Sequence, residues 1–437
     1  MKDDFYITTL GCKVNQYESD AISESLIQKG YQKTDYHQAQ FIVINSCTVT
    51  QKASMQSRQL VRHLIRSNPN AIIIVTGCDV QLGIEDIKQI NGIDGIISNR
   101  FKHDIPKLIE TEFKSGKPFQ NKPIIHWADI LHDTDFHYMP VTQYGNKTRP
   151  VVKIQDGCSS FCKYCIVPYT RGPSRSLPVH DVLNQLTLLE SNYYEIVLSG
   201  IHLGNYGSDL MPKTTLVDLL TLIEQTFQFK RIRLSSIEPL EISKNLIHVI
   251  KNSHSLCHHL HIPLQSGDNC ILKSMSRHYT CEEFEQCIHM VVKEIPDIAI
   301  GIDIVVGLPG ETEDAFMNTY NLIQRLPIAY LHVFPYSPRP QTPAGLLSNQ
   351  VPIEMIKKRC QSIRMLGEQK RKAFYRSMIG QQMEIIVEGK RDFKTGLLKG
   401  YTSNYIPVYI QGDDALMHQP RKVKLFDITH KNFVLGQ

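Results

Sequence analysis

Residues 151–172, VVKIQDGCSSFCKYCIVPYTRG, decide how the chain reads. VVKIQ has the composition of a strand, and directly after it come Cys158, Cys162 and Cys165, spaced Cys-x-x-x-Cys-x-x-Cys. Three thiolates on one short loop can hold three irons of a [4Fe–4S] cluster. A structural zinc site ordinarily takes four protein ligands, and no fourth cysteine lies nearby. The fourth iron would then be open to a small molecule. The competing reading is a zinc loop completed by a distant histidine.

Outward from this loop, helical and strand patterns alternate. A helix from Val179, strand YEIVLSG, a helix from Thr215, strand RIRLSS, a helix from Ile242, strand HLHIPL, a helix from Cys281, strand IAIGIDIVVG, a helix from Glu313 and strand YLHVFPYS follow in order. Six strands with intervening helices predict an open, partial (β/α)6 barrel whose active site lies at the strands' carboxyl ends. Residues 150–350 are assigned to it. Residues 351–375 read as a basic linker helix, and 376–437 as short β runs that predict a small all-β barrel.

Residues 1–120 predict a separate parallel α/β domain. Residues 121–149 show no periodicity and read as a linker. Cys12, Cys47 and Cys78 each come at or just beyond the end of a predicted strand: FYITTLGC, FIVINSC and AIIIVTGC. In a parallel sheet such ends gather on one edge, where ligands bind. Three thiolates there can hold a second cluster; the alternative is three buried core cysteines. Cys257, Cys270, Cys281, Cys287 and Cys360 show no ligand spacing. The run Cys257-His258-His259-Leu260-His261 is read as structural, because alternate strand residues point to opposite faces.

The totals bound the function. The 437 residues suggest about three domains. A hydrophobic fraction of 42% with 21% charged residues suits a globular protein with a sizeable core. MKDDFYITTLGC lacks the pattern of a signal peptide, and no apolar run reaches the length of a membrane span, so a cytoplasmic protein without a membrane partner is expected. Eleven cysteines in a reducing compartment point to metal or catalysis rather than disulfides. The net charge is only +5 but uneven: eight Lys/Arg face Glu354 and Glu368 between Pro352 and Arg376, and Lys52, Arg58, Arg62 and Arg66 form a second basic segment. Such faces suit a polyanion, or are simply solvated helix faces.

The cysteine loop resembles the radical S-adenosylmethionine (SAM) signature, with Tyr164 at the position of an aromatic that lies against the adenine. Beyond it, TLGCKVNQYES (9–19), NSCTVT, VTGC, LSGIHLGNYG, RIRLSSIEP, HLHIPLQSGD, DIVVGLPGET and HVFPYSPRPQTPA resemble the methylthiotransferase family of radical SAM enzymes over essentially the whole chain. The segment with GYTSNYIPVYI resembles the TRAM RNA-binding module. One subgroup of this family acts on isopentenyl-adenosine in tRNA, one on an aspartate of a ribosomal protein and one on N6-threonylcarbamoyladenosine in tRNA. The form GCKVNQYES is most similar to the third.

The resemblance implies two [4Fe–4S] clusters and SAM as cofactors. The cluster on Cys12, Cys47 and Cys78 would carry the sulfur, which one SAM methylates. A second SAM on the Cys158, Cys162, Cys165 cluster would give the radical that takes hydrogen from C2 of the modified adenosine at position 37. SAM would be met by Tyr164, Ser199, Gly200, Ser236, Glu238, Gln265 and Ser266; each of the last six is otherwise a turn or cap residue. The implied partners are tRNA at its anticodon loop, an external electron donor and a sulfur source. Arg171, Arg175, Lys357, Lys358, Arg359 and Tyr405 are the candidate RNA contacts. For the two arginines beside the loop the alternative is pairing with acidic side chains of the domain, and for the tyrosine it is barrel core. The competing functions are the other two substrates, or a non-catalytic tRNA-binding protein with structural metal.

Overall fold

The computed structural model describes residues 4–114, 116–117, 122–429 and 432–437. The domain boundary expected at residue 120 therefore falls outside the described residues. The chain forms two compact units. The first comprises Met1–Gln143, Lys153–Asp181 and Ser337–Gly345; the second comprises Tyr144–Val152, Val182–Tyr336 and Leu346–Gln437.

The first unit is built on a six-stranded sheet of β1 (Asp4–Thr9), β2 (Gln32–Lys33), β3 (Phe41–Ser46), β4 (Ile72–Gly77), β5 (Gly95–Ile97) and β6 (Ile124–His126), in the order β2-β1-β3-β4-β5-β6. All five pairings are parallel. The central strands β3 and β4 are buried at every position and mostly apolar because both of their faces are covered. Phe41, Val43, Ile72 and Ile74 pack with Ile22 and Leu26 on one face. Ile42, Ile44, Ile73 and Val75 pack with Val61 and Leu64 on the other. The helices that supply this cover are Lys13–Gln28 and Gln51–Ser67. The second starts at Thr50, whose side chain accepts a hydrogen bond from the Ala53 N–H at 3.1 Å, satisfying one orphan donor of the first turn. Strand β6 lies within the segment that reads as a linker. Three residues are too few to show periodicity in sequence.

The second unit holds the partial barrel expected from the alternation. Its strands are β7 (Val151–Lys153, whose last residue counts with the first unit), β8 (Glu195–Ser199), β9 (Arg231–Leu234), β10 (His259–His261), β11 (Ala299–Val306) and β12 (Tyr330–Pro335). They form two three-stranded sheets, β9-β8-β7 and β10-β11-β12. Single bridges Ile232↔Leu256 and Ser236↔His261 join them, so spatial order follows chain order. Three of the intervening helices start on capping threonines, Thr215 and Thr280 forming capping boxes and Thr312 capping Glu313–Arg325, and Ser243 caps Lys244–Asn252.

The basic helix spans Ile353–Met378 and leads into a closed barrel of β13 (Gln382–Arg391), β14 (Leu398–Thr402), β15 (Pro407–Ile410), β16 (Pro420–Ile428) and β17 (Val434–Gly436). Ile385, Val387, Leu398, Val408, Leu425 and Val434 fill it. The sequence announces four of these strands; β17 is three residues long and closes the barrel by pairing with β15 and β16. Among the described residues no helix is long and apolar enough to cross a membrane.

Leu425 is fully buried in this small barrel. Leu425→Ala is expected to cost about 2–5 kcal/mol through lost burial and the cavity left behind. The check is urea unfolding followed by circular dichroism.

Candidate active site

The strand-end cysteines belong to the first unit. Thr9 pairs with Asn45, and Ser46 with Gly77, so β1, β3 and β4 end nearly level. Cys12 is the N-cap of helix Lys13–Gln28, Cys47 follows β3, and Cys78 opens the short helix Cys78–Leu82. Glycine lets the backbone turn in this confined space. At Gly11 (φ +104°) an added Cβ would stand 2.9 Å from the Cys47 Sγ. At Gly77 (φ +102°) it would stand 2.3 Å from the Ser46 carbonyl oxygen. The Cys47 N–H donates to the Ser57 Oγ at 3.1 Å, and that hydroxyl donates back to the Cys47 carbonyl at 3.0 Å. The Asn99 Nδ2 reaches the Cys78 Sγ at 3.7 Å. Burial, with Cys78 and Cys12 alongside, pushes the Cys47 thiol up to about 11. Such a group of thiols sheds its protons when cationic metal arrives. Three soft donors at level strand ends fit an iron–sulfur cluster.

The second cysteine loop lies in the same unit. The antiparallel pair Gln155–Asp156 and Arg175–Ser176 closes its base. The Cys158 N–H donates to the Gly172 carbonyl at 3.0 Å, and the Cys165 N–H to the Cys162 carbonyl at 2.9 Å. Gly157 has φ +69°, and a Cβ there would stand 1.9 Å from the Pro173 carbonyl oxygen. The Gln155 amide donates to the Gly157 carbonyl and to the Ser174 Oγ, both at 2.9 Å. Hydrogen bonds within the protein thus hold the loop backbone, which carries three thiols and the half-buried Tyr164. This donor set also fits a cluster with three protein ligands.

Arg171 and Arg175, expected to meet RNA, are corrected by their surroundings. Arg171 is 2% exposed. Its Nη1 pairs with Glu18 at 2.8 Å and Asp156 at 3.0 Å, and its Nη2 donates to the Asn15 side chain. Lys102 pairs with Glu18 at 2.6 Å, and Lys153 with Glu18 at 3.1 Å and Asp156 at 2.9 Å. Arg175 pairs with Asp133 at 2.8 Å and donates to the Arg171 carbonyl at 2.7 Å. Burial would raise the Glu18 carboxyl, but Arg171, Lys102 and Lys153 outweigh it and hold the group well below the usual range. These arginines hold the protein's own acids and present no guanidinium to a polyanion.

The other sequence candidates lie in the second unit, except Tyr164. Ser199 ends β8, and the Gly200 N–H donates to the Ser235 Oγ at 3.4 Å. Ser236 is exposed after β9. Gln265 follows β10 with φ +66°. Ser266 is buried, its Oγ 3.5 Å from that of Thr319. Glu238 is paired with Arg277 and caps a turn over Pro239–Glu241. Lys357 and Lys358 are exposed on the basic helix. Arg359 is not: it is buried against Glu311 at 2.8 Å and Glu313 at 2.9 Å. Tyr405 is half-buried with φ +66°, its ring under the Arg233 guanidinium at 4.8 Å and stacked on Tyr401 at 5.1 Å. It is a packing residue of the β14–β15 turn, not a ring free to stack on a base.

One polar group was missed in sequence. His259 and His261 are two apart on β10, so they share a face, contrary to the reading of that run as non-convergent. The His259 Nε2 lies 2.8 Å from the Tyr330 hydroxyl, and the His261 Nε2 lies 2.8 Å from Asp303. His332 meets the same carboxylate at 3.2 Å. Burial would raise Asp303, yet hydrogen bonds from the two histidines bring it down to about 2. The available signal was the period-two spacing of these histidines within a predicted strand.

Two family models match the chain: the radical SAM superfamily over residues 152–323, and an uncharacterized protein family, UPF0004, over residues 4–98. A threonylcarbamoyladenosine tRNA methylthiotransferase, MtaB, from Bacillus subtilis is 38% identical, covering 95% of this chain and 92% of the relative. The chain belongs to the methylthiotransferase family of radical SAM enzymes, in its MtaB group. The MtaB of Aquifex aeolicus is 35% identical over 92% of this chain and 96% of the relative. A tRNA-2-methylthio-N(6)-dimethylallyladenosine synthase from Lachnoclostridium phytofermentans is 32% identical over 96% and 92%. Among solved structures, the radical SAM methyltransferase TsrM of Kitasatospora setae, with cobalamin and a [4Fe-4S] cluster bound, aligns with TM-score 0.57 at 13% identity, covering 79% of this chain and 77% of that one. At that identity the likeness is one of fold. As a radical SAM enzyme, this methylthiotransferase uses iron–sulfur and SAM chemistry.

Two outcomes follow from this geometry. Gly77 and Gly380 both have positive φ, but a Cβ on Gly380 meets nothing within 4 Å. Gly380→Ala is expected to cost only the left-handed strain, about 1–2 kcal/mol, and Gly77→Ala clearly more in the same denaturation assay. The depressed Glu18 carboxyl gives stability that is full above its unfolded value of about 4.3 and is lost as pH falls below it. Glu18→Gln leaves buried cations unpaired, at about 3–5 kcal/mol near neutral pH. Its stability should fall less steeply than the parent's between about pH 5 and 3, as read by unfolding midpoints across that range.

Proposed function

We propose that this tRNA methylthiotransferase adds a methylthio group to C2 of N6-threonylcarbamoyladenosine at position 37 of tRNA. The observation that carries the reading is the pairing, in one compact unit, of two cysteine triads: Cys12, Cys47 and Cys78 at strand ends, and Cys158, Cys162 and Cys165 on their loop. When bound, a cluster on the second triad supplies the electron that splits SAM, and one on the first supplies the sulfur. The protein's own part is placement. Gly157, Gln155 and the closing strand pair fix the loop backbone, and the Arg171 ion pairs tie it to the helix that Cys12 begins.

The names of the MtaB relatives favour the threonylcarbamoyl substrate. Similarity to dimethylallyladenosine synthases supports that adenosine as the second reading. Ser199, Gly200, Ser236 and Gln265 are assigned to SAM by their places at or beyond the carboxyl ends of barrel strands. Lys357 and Lys358 are assigned to tRNA phosphates; such contacts position RNA without reading its sequence. The setting is the cytoplasm, with an external electron donor and a sulfur source.

Mass spectrometry of tRNA nucleosides from cells with and without the gene tests the substrate. Loss of the 2-methylthio form in the deletion strain, with N6-threonylcarbamoyladenosine accumulating, is expected. Restoration should fail with Cys12→Ala and with Cys158→Ala. Persistence of the 2-methylthio-threonylcarbamoyl nucleoside in the deletion strain, with loss of the dimethylallyl counterpart, would assign the second reading.

A further inference from the structure

Arg339 differs from the other buried arginines among the described residues. Arg171, Arg175, Arg231, Arg233 and Arg359 each pair with a carboxylate. Arg339 is 8% exposed and pairs with none. Its Nη2 donates to the Thr48 hydroxyl at 2.8 Å and its Nη1 to the Ser54 hydroxyl at 3.4 Å; its Nε is buried and has no partner. The nearby acid Asp79 is taken by Arg58 at 3.1 Å. A buried guanidinium without an anion is costly, so the arrangement lacks a negative charge.

The location says which charge. Thr48 is the residue after Cys47, so the hydroxyl that the Arg339 Nη2 donates to adjoins a thiol of the strand-end site. Arg339 lies on the segment Ser337–Gly345, which packs in the first unit. The Ser337 Oγ accepts from the Gln51 N–H at 3.0 Å, and the Ala344 N–H donates to the Lys163 carbonyl, inside the other cysteine loop, at 3.0 Å. The segment therefore touches the flanks of both cysteine sites. Hydroxyls orient its guanidinium but do not neutralise it.

We propose that Arg339 is the counter-charge of the iron–sulfur cluster held by Cys12, Cys47 and Cys78, a positioning residue that stabilises the cluster's reduced, more negative state. This rests on the two-cluster reading given above. Thiolate ligation makes such a cluster anionic, and its potential depends on net charge and on the polar groups around it. A fixed cation in a low-dielectric site acts strongly on that charge.

The test uses the full chain with Cys158, Cys162 and Cys165 replaced by alanine, so that only the strand-end site can load. It is reconstituted anaerobically with iron and sulfide. Iron content and the midpoint potential, followed by electron paramagnetic resonance, are compared for this parent, Arg339→Lys and Arg339→Gln. Circular dichroism verifies that each is folded. Arg339→Lys is expected to load and titrate like the parent. Arg339→Gln should load with a more negative midpoint, so that less than half is reduced at the parent's midpoint, or should fail to load where lysine succeeds. Parent-like content and potential in Arg339→Gln overturns the proposal, as does equal loss of iron in both variants, which would make the guanidinium's shape the requirement. An unchanged potential with weakened tRNA binding would assign the missing anion to RNA phosphate, and overturns it too. A parent that takes up no iron refutes the two-cluster reading itself, and does so before any Arg339 variant is compared.

Discussion

The buried charges around Arg171 set the geometry on which the cysteine sites depend. Glu18 and Asp156 face Arg171, Lys102 and Lys153 with almost no water. Clusters of this kind are not strong sources of stability, because desolvation offsets the Coulomb attraction. They are unforgiving of displacement, since moving one member strands another charge. Asn15 and Glu18 stand on the first turns after Cys12, Asp156 stands two residues before Cys158, and Arg171 ends the short helix beyond Cys165. The network therefore fixes the register of the Cys12 helix against the loop that carries the other three cysteines.

A second constraint is steric. At Gly11, Gly77 and Gly157 the backbone passes so close to sulfur or carbonyl oxygen that a methyl group has no room. Hydrogen bonds from Ser57 and Gln155 then hold the turns that these glycines permit. At both cysteine sites, backbone and small polar groups of the chain itself fix the turns that carry the thiols.

Much of this was legible in sequence, and the remainder was illegible for identifiable reasons. Apolar runs such as AIIIV mark buried parallel strands, and cysteines at the ends of three such runs already point to one sheet edge. A basic residue, by contrast, reads the same whether it faces water or an acid far away. Glu18 and Arg171 are 153 residues apart, and nothing local to RGPSR reveals the pairing. Arg359 lies in a basic helix yet turns inward to Glu311, 48 residues earlier. Tyr405 sits in a segment rich in tyrosines, and only the turn with φ +66° folds it under Arg233. The strands Ile124–His126 and Val434–Gly436 are simply too short to carry a period.

The segment that carries Arg339 also bears on the order of assembly. Cys12, Cys47 and Cys78 leave the ribosome early, whereas Arg339 lies 291 residues beyond Thr48, to which it binds. At about 5–20 residues per second that separation is roughly 15–60 s of synthesis. During that interval the N-terminal sheet has all its thiols and lacks its buried cation. The chain must also pass between the two units five times before the second is complete. Nascent chains therefore carry the Thr48 and Ser54 hydroxyls beside Cys47 well before the guanidinium that binds them is made, so this edge of the sheet is completed only late in synthesis.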